Sequence, residues 1–135
     1  IRPALASGEI VLCDRFYDST TAYQGYGREL DLALVKSVIN FAVGDTRPNL
    51  TLLLEVPPEV SAERLRSRQA TLPFARDRIE EADAKFFARA AQGYQAIAAG
   101  EPDRVRVVNA NAPMEIVCAK IWEHVQPVLP KIGRW

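Results

Sequence analysis

Three short apolar runs, separated by helical patterns, constrain the fold of this chain most strongly. They cover residues 9–14, 50–56 and 104–108, and their length and apolar character are typical of buried strands. Longer segments whose apolar residues recur every three or four positions lie between and after them. Strands that alternate with helices in this way form a parallel sheet with helices on both faces. The sequence therefore predicts a three-layer α/β fold.

Glycines and prolines indicate where the helices begin and end. Gly25, Gly27 and Gly44 each follow a periodic segment and are expected to end it. Proline is accepted in the first turn of a helix, so the Pro57-Pro58 pair after the second strand predicts a new helix there. Pro73 and the loss of periodicity predict a loop over residues 69–78. The predicted helices cover residues 1–6, 17–24, 30–43, 57–68, 79–99 and a segment after the turn at 109–113.

Length and charge exclude several classes of protein. The chain of 135 residues has room for one domain, and its 17 Lys and Arg residues balance its 17 Asp and Glu residues. This balance argues against binding of nucleic acid through a basic surface. The sequence contains no run of about 18 apolar residues, the length that a membrane-spanning helix needs. Cys13 and Cys118 lie in apolar patterns, which predicts buried free thiols in a reducing, cytoplasmic compartment.

Polar and aromatic residues follow the first apolar run. Asp14 and Arg15 stand at its carboxyl end, where open α/β sheets bind their ligands. A guanidinium group matches two phosphate oxygens at once. Thr20, Tyr23 and Gln24 are spaced so that one helical face presents all three. Because the net charge is zero and the arginines cluster locally, the pattern favours a small anionic ligand.

Five segments of the chain resemble motifs of the thymidylate kinase family, and they occur in the family's order. The resemblance implies a P-loop NTPase-like parallel sheet and transfer of a phosphoryl group from ATP to dTMP, with Mg²⁺, giving dTDP and ADP for dTTP biosynthesis. The first segment runs from Asp-Arg-Phe at 14–16 through Ala-Tyr-Gln-Gly at 22–25. The others are residues 48–60, Arg-Leu-Arg-Ser-Arg at 64–68, Asp-Arg-Ile-Glu at 77–80 with Phe86, Phe87 and Tyr94 in the next helix, and Asn-Ala-Asn-Ala-Pro at 109–113.

For the dTMP site, the resemblance implies a catalytic role for Arg15, which would hold and align the phosphate. Asp14 would lie near the phosphates and magnesium. A structural salt bridge between Asp14 and Arg15 is the alternative. The resemblance assigns Thr20 and Gln24 to the thymine edge. It assigns Tyr23 to the deoxyribose, where the ring would exclude a 2′-hydroxyl, although Tyr23 also suits a core position.

The remaining candidates have equally clear alternatives. Ser19 resembles a substrate-binding residue and could also cap its helix. Arg64 and Arg68 lie four residues apart. The resemblance places Arg64 near adenine and makes Arg68 a catalytic lid residue. The alternative is that both arginines belong to the solvent-exposed face of a charged helix. Asp77 would lie near dTMP and its magnesium, although an acid at a helix start needs no ligand. Asn111 would lie near adenine or cap the last helix.

One family motif does not occur in this sequence. GxxxxGK[ST] holds the ATP phosphates, and no glycine here is followed by lysine. The chain therefore resembles the C-terminal two thirds of such a kinase, a single incomplete domain over residues 1–135 without the N-terminal strands. The family's strand order, 2-3-1-4-5, predicts a gap between residues 9–14 and 50–56. Because unpaired strand edges are costly, we predict that these residues alone are unstable or rearranged, and inactive.

Two other functions remain open at this stage. One is a related kinase acting on another deoxynucleotide or a deoxynucleoside, against which Ala-Tyr-Gln-Gly at 22–25 argues. The other is a non-catalytic nucleotide-binding or oligomerisation module without a P-loop. The apolar pattern over residues 30–43 suits a homodimer contact, which the family resemblance also implies, and suits core packing equally well.

Overall fold

The computed structural model describes residues 1–71 and 84–130, with only the backbone at 68–71. Two compact units divide the chain: one comprises Ile1–Pro48 and Asp83–Ala99, the other Asn49–Ala82 and Gly100–Trp135. The single domain expected from the length therefore stays a prediction. The elements are α1 (Arg2–Ala6), α2 (Tyr17–Thr20), a π-helix (Thr21–Gly27), α3 (Leu32–Val43), β1 (Thr51–Glu55), α4 (Pro58–Thr71), α5 (Ala84–Gly100), β2 (Val105–Asn109), α6 (Met114–Val125) and a 3₁₀ turn (Gln126–Val128).

β1 and β2 pair in parallel, which confirms the α/β class and two of the three predicted strands. The register runs from Thr51 opposite Val105 to Glu55 opposite Asn109. Arg104 supports the start of the pair: its guanidinium donates to Thr51 Oγ1 at 2.6 Å, and its carbonyl accepts from the Thr51 amide at 2.9 Å. Val105 and Val108 are buried, and α6 packs against β2.

The strand predicted at residues 9–14 does not form. In the described part of the chain this segment pairs with neither β1 nor β2, and Ile10 and Leu12 are 63% and 92% exposed. A strand is stabilised by its hydrogen-bonded neighbour, so an apolar run that has none gains no β structure from its composition. The predicted burial of Cys13 is wrong for the same reason, and Cys118 on α6 is also exposed.

The core of the first unit lies between α2 and α3. Positions four residues apart on α3 share one helical face, and that face packs against the start of α2. Phe16 packs against this face, and its ring meets the Tyr17 ring edge-on, with the ring centroids 5.2 Å apart. The buried members are Tyr17, Val35, Ile39 and Val43.

α3 has well-formed ends. The Asp31 carboxylate accepts hydrogen bonds from the amides of Ala33 and Leu34 at 2.7 and 3.1 Å, so Asp31 is an N-cap. Gly44 follows the last residue with φ of 55°, a backbone angle that favours glycine. The predicted end of this helix is thus confirmed.

The helix predicted to end at Gln24 continues through Gly27 as a π-helix. The Arg28 amide donates to the Tyr23 carbonyl at 2.9 Å, which is the five-residue spacing of this helix type. A Cβ on Gly27 would lie 2.7 Å from Cε2 of Phe86. The expected end at Gln24 was wrong: the helix passes through Gly25, whose missing Cβ admits the Leu32 side chain, and ends at Gly27.

Two boundaries in the second unit also differ from the prediction. α4 extends through Thr71, three residues beyond the predicted end, because the backbone restrictions of Pro73 act on its own position and the one before it. The other residues of the loop predicted over 69–78 lie outside the described residues. Pro113, not Asn111, is the N-cap residue of α6. None of the helices within residues 1–71 and 84–130 is long and apolar enough to cross a membrane.

Candidate functional site

Arg15 adopts an unusual backbone conformation at the centre of the first candidate site. Its φ is 64°, in the left-handed region that a residue with a side chain rarely adopts. Its guanidinium carbon lies 4.7 Å from the centre of the Tyr23 ring, a cation–π contact. The rest of the side chain is open to solvent, as is the neighbouring Asp14. The turn therefore presents a cation at the surface beside an aromatic ring.

Tyr23 is the centre of an aromatic cluster that joins the π-helix to α5. Its ring meets the rings of Phe86 and Tyr94 edge-on, with centroids 5.6 and 6.1 Å away. The Tyr94 hydroxyl donates to Ser19 Oγ at 2.8 Å. Edge-on pairs of this kind are favourable beyond their burial alone. Contacts with α5 thus support both Tyr23 and Ser19.

The same groups set the electrostatics of the site. Burial raises the pKa of the Tyr94 hydroxyl; the neighbouring Tyr23 adds to the rise, while the bond to Ser19 and the nearby Arg15 oppose it. Burial alone would lower the pKa of Arg15, but its interactions with Tyr23 and Tyr94 outweigh burial and the pKa is raised. At neutral pH Tyr94 is an uncharged hydroxyl and Arg15 a cation.

α5 also holds the far end of the π-helix. Arg89 donates to the Gly27 carbonyl from Nε at 3.0 Å and from Nη2 at 2.7 Å. A Cβ on Gly93 would lie 2.8 Å from the Tyr26 ring, so the backbone of α5 approaches that ring closely. These contacts fix the segment that carries Tyr23.

The structure brings three predicted site residues together, namely Arg15, Ser19 and Tyr23. Thr20 is the last residue of α2, Gln24 lies in the middle of the π-helix, and both are exposed. Ser19 does not act as the predicted helix cap, because Phe16 holds the N-cap position of α2. The exposed side of this segment therefore carries the polar side chains of Thr20 and Gln24.

A second group of predicted residues lies in the other unit. Arg64 on α4 places Nη2 3.5 Å from the Ala110 carbonyl, a long contact that sets it beside the turn at 109–113. Within that turn the Asn111 amide donates to Asn109 Oδ1 at 2.8 Å. The side chains of Arg64 and Asn111 are exposed.

Two candidates cannot be assigned a geometry. Arg68 belongs to α4, but its side chain is outside the described set, and Asp77 lies outside the described residues altogether. Among the residues that are described, no group of three or more His, Cys, Asp or Glu side chains could hold a metal ion.

Sequence reasoning missed the contributions of Tyr94 and Arg89. Tyr94 lies within the predicted helix over residues 79–99, and a tyrosine that packs on a neighbouring segment has a hydroxyl that needs a partner when buried. That need was the available signal. Nothing in the sequence separates Arg89 from a solvated arginine, since its acceptor is the carbonyl of a residue 62 positions earlier.

The chain is similar in sequence to proteins of one family. The family described as "Thymidylate kinase" matches residues 1–121. Relatives named thymidylate kinase are 46% identical over 130 residues in Synechococcus sp. (strain JA-2-3B'a(2-13)) and 50% identical over 129 residues in Alcanivorax borkumensis. These matches cover 96% and 93% of this chain, and 59% and 60% of the relatives.

A solved structure shows the same relationship. Thymidylate kinase from Ehrlichia chaffeensis superposes with a TM-score of 0.65 at 28% identity, over 93% of this chain and 53% of that one. The chain thus spans somewhat over half the length of the proteins it matches. With a family match across most of its residues and close relatives along nearly its full length, the chain belongs to the thymidylate kinase family.

Proposed function

We propose that the protein carrying this chain is a dTMP kinase that transfers the γ-phosphoryl group of ATP to dTMP, giving dTDP and ADP for dTTP biosynthesis. The observation that carries the proposal is the exposed guanidinium of Arg15, seated on the Tyr23 ring with Ser19 and Tyr94 behind it. A cation beside an aromatic ring suits a ligand with a phosphate and a sugar.

The proposed roles at the dTMP site follow from what each side chain offers. Arg15 holds the dTMP phosphate through paired N–H donors. The half-buried ring of Tyr23 forms the wall for the deoxyribose. The exposed hydroxyl of Thr20 and amide of Gln24 supply donors and acceptors for the thymine edge, with Ser19 beside them.

The chemistry needs little from the protein beyond placement and charge. The attacking phosphate oxygen of dTMP is already anionic, so no general base is required. Phosphoryl transfer is promoted mainly by positioning and by cations near the transferred group. Arg15 and Arg68 are the cations we assign to this role.

For the ATP side, we propose that Arg64 and the turn with Asn111 lie near adenine. Their proximity in the second unit supports this assignment, because the two segments are 46 residues apart in sequence. Mg²⁺ would arrive with ATP and offset charge on its phosphates. Asp14, an exposed carboxylate next to Arg15, and Asp77 are our candidates for contact with that ion.

We further propose a cytoplasmic homodimer that forms through α3. Leu34, Val38 and Phe41 lie along one side of this helix and are 64%, 59% and 93% exposed. A stripe of this kind is more often covered than left in water. Light scattering of the complete protein and of Phe41→Glu tests this; a monomer before the substitution would contradict it.

The test of the activity uses the product of the complete gene in an ATP-dependent assay with dTMP, dUMP, dCMP and thymidine. We expect dTMP to be the best substrate. Arg15→Met keeps the apolar contact with Tyr23 but loses the charged hydrogen bonds, so kcat/KM should fall about 100-fold or more. Arg47→Met is the matched control, because Arg47 also stacks on a tyrosine, Tyr17, at 5.5 Å, outside the site.

The outcomes separate the competing functions. Preference for another deoxynucleotide or for thymidine would indicate the related kinase. Absence of phosphorylation with retained dTMP binding would indicate a nucleotide-binding module. Reading the coding sequence upstream of Ile1 adds an independent check: GxxxxGK[ST] there supports the kinase, and its absence from the gene supports the module.

A further inference from the structure

We propose that Tyr94 is a positioning residue that holds the Tyr23 ring in place and thereby sets the preference for deoxyribose over ribose in the substrate. The inference rests on the proposed function, in which Tyr23 forms the wall for the deoxyribose, and deepens it by assigning the group that keeps this wall rigid. Tyr94 is half-buried on α5 and contacts the substrate in none of the roles proposed above.

Three groups contact the half-buried Tyr23 ring. The Phe86 ring meets it edge-on, with centroids 5.6 Å apart and an interplanar angle of 61°. The Tyr94 ring also meets it edge-on, with centroids 6.1 Å apart and an angle of 81°. The guanidinium carbon of Arg15 lies 4.7 Å from its centre. The Tyr23 ring therefore cannot turn about its side-chain bonds without losing one of these contacts.

Tyr94 holds the segment that carries Tyr23 at two points. Its ring packs on the Tyr23 ring, and its hydroxyl donates to Ser19 Oγ at 2.8 Å, four residues earlier in the chain. Phe86 has a different surrounding, because its ring also fills the space that the missing Cβ of Gly27 leaves open. A change at Phe86 would thus disturb the end of the π-helix itself, whereas a change at Tyr94 acts on Tyr23 and Ser19.

The rigidity of the wall matters because the competing sugar is larger by a single hydroxyl. A site rejects such a ligand by a steric clash, or by burying the hydroxyl without a hydrogen-bond partner. A ring that swings aside relieves the clash and lets water reach the 2′-hydroxyl. Discrimination against ribose therefore depends on what holds Tyr23 as well as on Tyr23.

The experiment measures kcat/KM of the complete gene product for dTMP and for 5-methyluridine 5′-monophosphate, which has the same base and phosphate on ribose. The readout is the ratio of the two values. Because both scale with the concentration of folded enzyme, a loss of stability cancels in the ratio. For Tyr94→Leu we expect the ratio to fall roughly fivefold or more, the discrimination that one buried, unpaired hydroxyl supplies. Tyr94→Phe keeps the ring and loses only the bond to Ser19, so its ratio should lie between those of Tyr94→Leu and the unmodified protein.

Phe87→Leu is the matched control. Phe87 lies on the same helix, and its ring meets the Phe86 ring with centroids 5.4 Å apart. Its loss should leave the ratio within about twofold of the unmodified value. Tyr94→Met keeps more of the side-chain volume, should lower the ratio in the same direction as Tyr94→Leu, and replaces that variant if it does not fold. In a Tyr23→Ala background, Tyr94→Leu should not change the ratio, because the wall is already gone.

The possible results separate this assignment from the proposed function. An unchanged ratio in the Tyr94 variants, an equal fall in Phe87→Leu, or a further fall in the Tyr23→Ala background would each overturn the positioning role. Phosphorylation of dTMP without preference over the ribonucleotide would also overturn it and leave the kinase activity standing. Absence of dTMP phosphorylation by the unmodified protein would overturn the proposed function and this assignment with it.

Discussion

Replacement of Arg89 by methionine tests how the π-helix is held in place. Gly27 is the last residue of that helix, so its carbonyl has no partner within the helix. Arg89 supplies the missing donors from Nε and Nη2, at 3.0 and 2.7 Å. A cation at a helix C-terminus is also favoured by the helix dipole. Arg89→Met keeps the apolar stem of the side chain and removes both contributions.

The structure sets the expected size of the effect. A hydrogen bond from a charged donor contributes about 1.5–3 kcal/mol, and the two N–H groups share one acceptor, so we expect a loss of about 2 kcal/mol in the free energy of unfolding. Arg89 Nε also lies 3.6 Å from Glu29 Oε2, but the two side chains are 33% and 70% exposed. An ion pair this exposed contributes about 0.5 kcal/mol or less.

The assay is urea unfolding of the complete gene product, followed by circular dichroism, with hydrogen exchange to locate the change. Arg89→Met should lose about 2 kcal/mol, with faster exchange of amides in the π-helix. Glu29→Gln is the control and should lose about 0.5 kcal/mol at most. If Glu29→Gln costs as much as Arg89→Met, or if Arg89→Met leaves stability and exchange unchanged, the capping argument is wrong.

Three further predictions follow from local features. Asp31→Ala removes the N-cap of α3 and should lower the free energy of unfolding by about 1 kcal/mol in urea; Ser37→Ala, an exposed change on the same helix, should have little effect. Because burial raises the pKa of Tyr94, the folded protein keeps a proton that the unfolded chain loses near pH 10. Unfolding free energy should therefore decrease from about pH 10 up to the folded pKa, and alkaline titrations of Tyr94→Phe should lack that part of the decrease. The isolated 135 residues, with Leu12 92% exposed, should show no cooperative transition in calorimetry, and a sharp endotherm would refute this.

Local sequence signals predicted the parts of the fold whose causes are local. The apolar runs at 50–56 and 104–108 predicted β1 and β2, and the strand–helix alternation predicted their parallel pairing. Gly44 marked the end of α3 because a backbone angle of 55° is inexpensive for glycine. The order of motifs also identified the family before any comparison.

Where neighbours in space decide the structure, the same signals were insufficient. Residues 9–14 have the composition of a strand, but a strand exists only with a hydrogen-bonded neighbour. Gly25 was expected to end a helix, yet the helix continues past it to Gly27, where the missing Cβ admits the Phe86 ring and the carbonyl accepts from Arg89.

The same distinction between local sequence signals and contacts in space applies to the candidate site. The sequence by itself supplied the candidates for the proposed dTMP site, Arg15, Thr20, Tyr23 and Gln24, because these lie within ten positions of one another. Only the tertiary structure decided that Tyr94, 75 residues after Ser19, closes behind them. Hydrogen bonds and ring contacts depend on distances of a few ångströms between side chains. Packing of α5 against the π-helix sets those distances, and no periodicity in the sequence encodes them.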